Sequence, residues 1–355
     1  ERHLPTPFAF RGEEISITLS LSNKKPLPLT WVRLEDEVPD ELEVVSGDTP
    51  LKFALNVQTL RHRTSIKWYE RLRWEYRLRC TKRGLYRIGP ANIQSGDPFG
   101  FLSNVKSEPR QDSVVVYPQV VPLEELGIPA ARPLGEVRGG IRIFQDPTRL
   151  AGMRDYERGD PFKIIDWKAT AKAQQLKVRT FEPSTSTTVI LVVAVDTRSP
   201  FWETFAPEVL ERVLIAAASV AKYATEKEYT LGLFTNDMPV PAGKTMAVPP
   251  GRKRDHLGLV LGALATVRPY AFEAMYDRLG SLSRQFPLGA TLAVATAFLP
   301  PEFVNVLSDL KDRGHKIVVF YVGEEPSPEL TENILLYDIR DHLVRMEETG
   351  ELLAG

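Results

Sequence analysis

The sequence predicts an α+β multidomain chain, an N-terminal β-sandwich followed by a doubly wound α/β domain. Three observations predict it. Short alternating segments recur at roughly ten-residue spacing through residues 1–117, separated by proline and glycine, as in stacked antiparallel sheets. From Thr187 onward apolar runs alternate with amphipathic helical stretches, the pattern of parallel strands covered on both faces. Between these regions Pro118, Pro122, Pro129, Pro133 and Gly139-Gly140 interrupt every period. The expected divisions are therefore 1–117, 118–186 and 187–355, the middle one a connection that is either mobile or pinned across its neighbour.

In the first region Ile15, Ile17, Leu19 and Leu21 share one face of a strand from Glu14 to Leu21. Thr30 to Leu34 and Leu42 to Val45 are further short strands. Thr64 to Trp68 and Leu72 to Leu78 read as a hairpin around Tyr69-Glu70-Arg71, with Leu72, Trp74, Tyr76 and Leu78 on one side. Gly84 to Ile88, Val105 and Val114 to Tyr117 continue the pattern.

In the last region Thr188 to Asp196 is an apolar strand ending in a carboxylate. Phe205 to about Lys227 follows as a helix, with Phe205, Val209, Val213, Ala217, Val220 and Ala224 on its buried stripe. Tyr229 to Thr235 is a strand and Asp255 to Ala265 a helix. Phe272, Met275, Tyr276, Leu279, Leu282 and Phe286 fall at helical steps. Thr291 to Ala297 is the next strand, and Pro300-Pro301 pre-set a helix that Gly314 ends. Lys316 to Val322 is the last strand read.

The chain has 355 residues, 43% apolar and 26% charged, the balance of an ordered globular protein. Net charge is −1, so no global field draws it to nucleic acid. A single cysteine, Cys80, excludes an internal disulfide and any cysteine-rich metal site, and its strand-like setting suits a small buried hydrophobe. The seven-residue run Val189 to Val195 is far below the ~20 apolar residues of a membrane span. Residue 1 is Glu rather than Met, from which we expect further chain upstream.

The most distinctive stretch runs from Gly152 to Lys172 and contains Arg154, Tyr156, Gly159, Asp160, Asp166, Trp167 and Lys168. Asp160-Pro161 reads as a helix start. Trp167 and the two isoleucines Ile164 and Ile165 are then expected to bury against a sheet, with Arg154 folding back on Asp166 as a clamp. Together with Leu176-x-Val178-Arg179 and a strand ending at Asp196, this run resembles the domain of unknown function 58 family. So does the earlier pair Arg83-Gly84-Leu85-Tyr86 and Asp97-Pro98-Phe99-Gly100. The resemblance covers residues ~80 to 345. It implies that the α/β domain is von Willebrand factor A-like, that two membrane helices lie upstream, and that the partner is a MoxR-type AAA+ ATPase. It also implies a membrane-anchored protein with these domains on the cytoplasmic face. It supplies no reaction.

A von Willebrand A-like metal site would need several oxygen ligands on the loop after its first strand. Here Asp196 is kept, but Arg198 and Pro200 stand where serines are needed, so the alternative is that Asp196 pairs with Arg198 or caps a helix. Thr235 or Thr296 would supply one further ligand, but Ala297-Phe298-Leu299-Pro300 lacks the carboxylate expected at a later strand end. Asp160 and Asp166 would suit a hydrolase, yet capping and charge pairing account for both. Nucleotide-loop, serine-hydrolase and zinc-protease motifs are all incomplete or missing, and the five histidines are scattered. The expectation is a non-enzymatic interaction or scaffold module without a cofactor, with cation-dependent adhesion and hydrolysis as alternatives. Its partner face is expected at the strand-end loops, with Asp196, Thr197, Arg198, Ser199, Thr235 and Asp237.

Residues Arg61 to Arg87 hold ten basic side chains against Glu70 and Glu75. Alternation places Arg71, Arg73, Arg77 and Arg79 on the outward face of one strand, either meeting anionic headgroups or simply solvated. In contrast, Glu324 to Glu351 carries nine acids and two arginines.

Overall fold

The computed structural model describes residues 1–46, 51–54, 56–97, 101–129, 133–134, 145–156, 165–183, 187–198, 206–237, 247–328, 330 and 334–352. For residues 51–54, 145–152, 154 and 179–183 it describes the backbone.

The first twelve strands are β1 (Arg2–His3), β2 (Phe8–Phe10), β3 (Glu14–Ser22), β4 (Leu29–Pro39), β5 (Leu42–Ser46), β6 (Leu51–Ala54), β7 (Val57–Ile66), β8 (Arg71–Cys80), β9 (Gly84–Ile88), β10 (Ala91–Gly96), β11 (Ser103–Glu108) and β12 (Asp112–Tyr117). They form sheets of order β1-β3-β8-β5, β11-β10-β4-β7-β6 and β2-β12-β9. Alternation along each strand sends Ile15, Ile17 and Leu19 of β3 and Tyr76, Leu78 and Cys80 of β8 inward, where they meet Leu34, Val38 and Leu60 of the facing sheet. His62 stacks on Trp74 across this layer with ring centroids 4.4 Å apart.

The expected hairpin between β7 and β8 is not formed. β7 pairs with β4 and β6, and β8 pairs with β3 and β5, so the two belong to opposite sheets. Each carries an apolar face, and burying both satisfies them better than an edge-to-edge pair with one face in water. Residues 67–70 therefore cross from layer to layer, with Tyr69 in the left-handed region at φ 52°.

Residues 118–134 are pinned rather than mobile where described. Val121, Leu123, Leu126, Ile128 and Leu134 are buried in the core of the α/β region. The Val121 N–H donates to Ser219 Oγ at 2.9 Å. A two-stranded ribbon follows, β13 (Gln145–Asp155) with β14 (Lys177–Pro183), and it carries α1 (Trp167–Ala173) between its strands.

The α/β region contains β15 (Thr188–Val193), α2 (Pro207–Glu226), β16 (Thr230–Thr235), β17 (Val248–Gly251), α3 (His256–Thr266), α4 (Met275–Leu282), β18 (Thr291–Thr296), α5 (Pro301–Asp312), β19 (Lys316–Tyr321), β20 (Leu335–Asp338) and α6 (Arg340–Glu348). The sheet order is β17-β16-β15-β18-β19-β20, parallel except for the edge strand β17. Helices α2, α3 and α6 cover one face, while α4 and α5 cover the other. Because β15 pairs with β16 on one side and β18 on the other, the chain reverses its direction of winding there. The carboxyl end of β15 is thus the topological switch point, where open α/β sheets leave a crevice for ligands.

The two regions are locked by Arg83. Its Nε donates to Glu211 Oε1 of α2 at 2.8 Å, and its Nη1 donates to the carbonyls of Leu264, Ala265 and Val267 at 3.3, 3.1 and 2.9 Å. These carbonyls end α3, so a buried cation completes acceptors that the helix leaves unpaired. The neighbouring Gly84 permits this turn, since a Cβ there would lie 3.0 Å from the Tyr86 ring. The Tyr86 hydroxyl in turn donates to the carbonyls of Lys82 and Arg83.

Candidate functional site

At the switch point the apolar run of β15 ends in Asp196, which is only 4% exposed. Its Oδ1 accepts from Asn236 Nδ2 at 2.7 Å, and its Oδ2 accepts from the Met275 N–H at 3.3 Å, the first amide of α4. Asn236 follows β16 and is fully buried. Its amide oxygen accepts from Val195 N–H at 2.8 Å, and its nitrogen also donates to the Glu273 carbonyl at 2.9 Å. One amide therefore ties together the ends of β15 and β16 and the approach to α4. Burial raises the Asp196 carboxyl above the usual carboxylate range, and its hydrogen bonds only partly offset this.

The hydroxyls considered as further metal ligands are used locally. Thr235 Oγ1 accepts from Asp237 N–H at 3.3 Å, and Thr296 Oγ1 donates to the Phe298 carbonyl at 2.7 Å. Asp196 does not pair with Arg198, whose guanidinium instead meets Glu324 in an exposed ion pair. Of the two non-metal readings, the helix cap is the one formed. Thr197 is buried beside Asp196, and Asp237 Oδ2 accepts from Arg268 N–H at 3.1 Å. Among the described residues no three His, Cys, Asp or Glu side chains are grouped to hold a metal ion. Ser199 lies outside the described residues, as do the neighbouring stretches 200–205 and 238–246.

Asp196, Thr197, Thr235 and Asp237 are thus brought to one edge, and the structure adds residues the sequence reading did not assign there. Phe272, expected on a helical stripe, precedes α4 and is 60% exposed. Its N–H donates to the Asn236 carbonyl at 3.0 Å, so exposed Phe272 rides on the buried clamp, and Tyr270, two residues before it, is also exposed. The available signal was the polar triplet Thr235-Asn236-Asp237 directly after an apolar strand.

The signature segment lies elsewhere, on the ribbon. The helix start expected at Asp160-Pro161, together with Gly159 and Ile164, falls outside the described residues. The described helix begins at Trp167 with Asp166 as its N-cap, Oδ1 accepting from Ala169 N–H at 2.9 Å. Trp167 does not bury against a sheet: it is 65% exposed, α1 has no buried residue, and Lys168 is exposed too. The seven-residue α1 meets the ribbon through a polar contact, Lys177 N–H donating to Thr170 Oγ1 at 3.0 Å, rather than through an apolar stripe. Ile165 alone of the expected clamp residues is shown buried. Tyr156 N–H donates to the Leu176 carbonyl at 3.0 Å, and Arg154 stands opposite Val178 in the ribbon.

On β8, Arg71, Arg73, Arg77 and Arg79 are all exposed on the outer face. Glu14 pairs with Arg77 and Arg79 at 3.6 and 3.1 Å. The acidic end is also tied down, with Glu347 gripping Arg212 of α2 at 2.7 Å. No helix among the described residues is long and apolar enough to cross a membrane.

Comparison with known proteins finds one relative at 25% identity over 218 residues, the uncharacterized protein YeaD of Bacillus subtilis (strain 168). The match takes in 59% of this chain and 48% of YeaD, so the chain spans about half the length of that relative. Solved structures with partial likeness include Spo0M, the sporulation control protein of Bacillus subtilis, at 13% identity and a TM-score of 0.20 over 33% of this chain and 47% of that one. A GH20 exo-β-N-acetylglucosaminidase from Vibrio harveyi matches at 9% identity and a TM-score of 0.22, over 90% and 56% of the two chains. Likeness at these scores carries no argument about fold or activity. Residues 152–340, more than half of the chain, match the family described as "Protein of unknown function DUF58". The motifs at 82–100 lie outside that stretch, whereas the ribbon from Gly152 onward and the clamp at Asp196 lie inside it, and the chain belongs to this family of unknown function DUF58.

Proposed function

We propose that this chain is a non-enzymatic protein-interaction module whose partner face is the carboxyl edge of the α/β sheet. The observation that carries the reading is the mounting of exposed Phe272, with exposed Tyr270 two residues before it, on the buried Asp196–Asn236 clamp. Rigid, exposed aromatics at a switch point are the residue types that anchor protein interfaces. The clamp serves as their foundation, since the Asp196 oxygens already accept from Asn236 and Met275. The flanking charges of Arg198, Glu324 and Asp237 form the polar rim that such anchors require.

The resemblance supplies the rest of the proposal. The α/β domain is read as von Willebrand factor A-like, with Asp196 as the remnant of its ligand loop. The partner is a MoxR-type AAA+ ATPase acting in protein assembly or maturation, and the protein is anchored in a membrane with these domains on the cytoplasmic side. The test is capture of partners by the intact chain, comparing the wild type with charge reversals at Arg198 and Asp237 and with Tyr270→Ser/Phe272→Ser. Loss of the same partner in these variants, at unchanged melting temperature, supports the face; equal recovery of every partner refutes it.

A further inference from the structure

Three loops meet at the end of the β-sandwich remote from the α/β region. Register fixes this: Ser22 lies opposite Arg71, Leu29 opposite Ile66, and Gly96 opposite Trp31. The loops after β3, β7 and β10 therefore share one end. They present Leu27, Trp68, Tyr69, Phe101 and Leu102, each between 62% and 86% exposed. The first two loops are built as one unit. Asn23 Nδ2 donates to the carbonyls of Leu27 and Lys67 at 2.7 and 3.0 Å, and Tyr69 N–H donates to the Lys25 carbonyl at 3.3 Å.

Cations surround these apolar groups. Lys24, Lys25, Lys67 and Arg71 are exposed and have no acidic partner among the described residues. The acids Glu70 and Asp97 of these loops each accept from a backbone amide of their own loop. Glu70 Oε2 accepts from Lys67 N–H at 2.6 Å, and Asp97 Oδ1 accepts from Leu102 N–H. The joint to the α/β region through Arg83 lies beyond Cys80, at the other end of β8. Ten extended residues separate the two, about 30 Å at the usual strand rise.

We infer that this end of the sandwich is a membrane-contact tip. Leu27, Trp68, Tyr69, Phe101 and Leu102 enter the headgroup layer, while Lys24, Lys25, Lys67 and Arg71 meet the phosphates of anionic lipids. The apolar side chains of the tip are exposed, and tryptophan and tyrosine favour the level where an apolar ring and a polar edge are both satisfied. Lipid surfaces attract such cationic rims, and the attraction is screened by salt. Docked in this way, the chain holds its α/β region roughly one strand length away from the bilayer. The inference rests on the β-sandwich alone and stands or falls apart from the partner face at Tyr270 and Phe272.

The experiment is sedimentation of the intact chain with vesicles of phosphatidylcholine, with and without phosphatidylglycerol. Wild type should bind the anionic vesicles and release in high salt. Lys24→Gln/Lys25→Gln should weaken binding roughly 30-fold, the loss of two surface cations. Trp68→Ser/Phe101→Ser should weaken it at least as much with an unchanged melting temperature, and brominated lipid should quench Trp68 fluorescence. Absence of binding to anionic vesicles, or binding that neither variant alters, overturns the inference. So does self-association that the Trp68/Phe101 variant abolishes, which would make the tip a contact between copies of the chain.

Discussion

Asn236 holds Asp196 through a 2.7 Å hydrogen bond from its amide nitrogen while its amide oxygen takes the Val195 N–H at 2.8 Å. The same side chain thus fixes a carboxylate and the backbone just before it. Removing it in Asn236→Ala takes a hydrogen bond from the buried Asp196 carboxylate and leaves the Val195 N–H without its acceptor, which should cost about 2–3 kcal/mol. Denaturant unfolding measures this, and a change below half a kcal/mol would show that the clamp is not structural.

The raised Asp196 carboxyl has a stability consequence of definite sign. The folded chain binds this proton more tightly than the unfolded chain, whose value lies near 3.8. Lowering the pH through the folded value therefore stabilises the wild type relative to Asp196→Asn, and the gain levels off below the unfolded value. Melting both proteins between neutral pH and pH 4 should show the wild-type advantage growing. A difference that shrinks or stays flat would place the Asp196 charge in a solvated setting.

Arg83 joins Glu211 to the end of α3, with the carbonyls of Leu264, Ala265 and the C-cap Val267 on one nitrogen. Arg83→Ala should cost about 3–5 kcal/mol, because Glu211 keeps a partly buried charge without its closest partner. Lysine should not rescue it, since one ammonium lacks the planar fork that reaches both groups. The expected readout is a split of one unfolding transition into two.

Cys80 is fully buried at the end of β8, and burial pushes its thiol up to about 11. Maleimide labelling of the native chain at neutral pH should be slow and should follow opening of the β-sandwich, accelerating in mild denaturant. Fast labelling of the native protein would contradict this packing.

Much of the α/β region was legible in the sequence, because buried parallel strands and their helices leave strong periods. Val209, Val213, Ala217, Val220 and Ala224 all lie inside, and Gly314 takes the left-handed position after α5. The strands β17 and β20 were missed, as only four residues each give no period. In the β-sandwich, alternation gave each strand its faces but not its partner, since β7 and β8 pack face to face with patterns that would equally suit a hairpin. The site was half legible. Asp196 stood out at the end of an apolar run, whereas Asn236 acts through a bond across 40 residues that no local spacing encodes. Phe272 satisfied the helical period of α4 and yet lies before its first turn, where it faces solvent.

The account turns on the aromatic pair above the clamp, and the most direct measurement is the affinity of the intact chain for its captured partner with and without Tyr270→Ser/Phe272→Ser. Removing a central aromatic anchor should weaken binding at least roughly 30-fold, with the Asp196–Asn236 clamp and the melting temperature intact. Unchanged affinity would contradict a partner face at this edge.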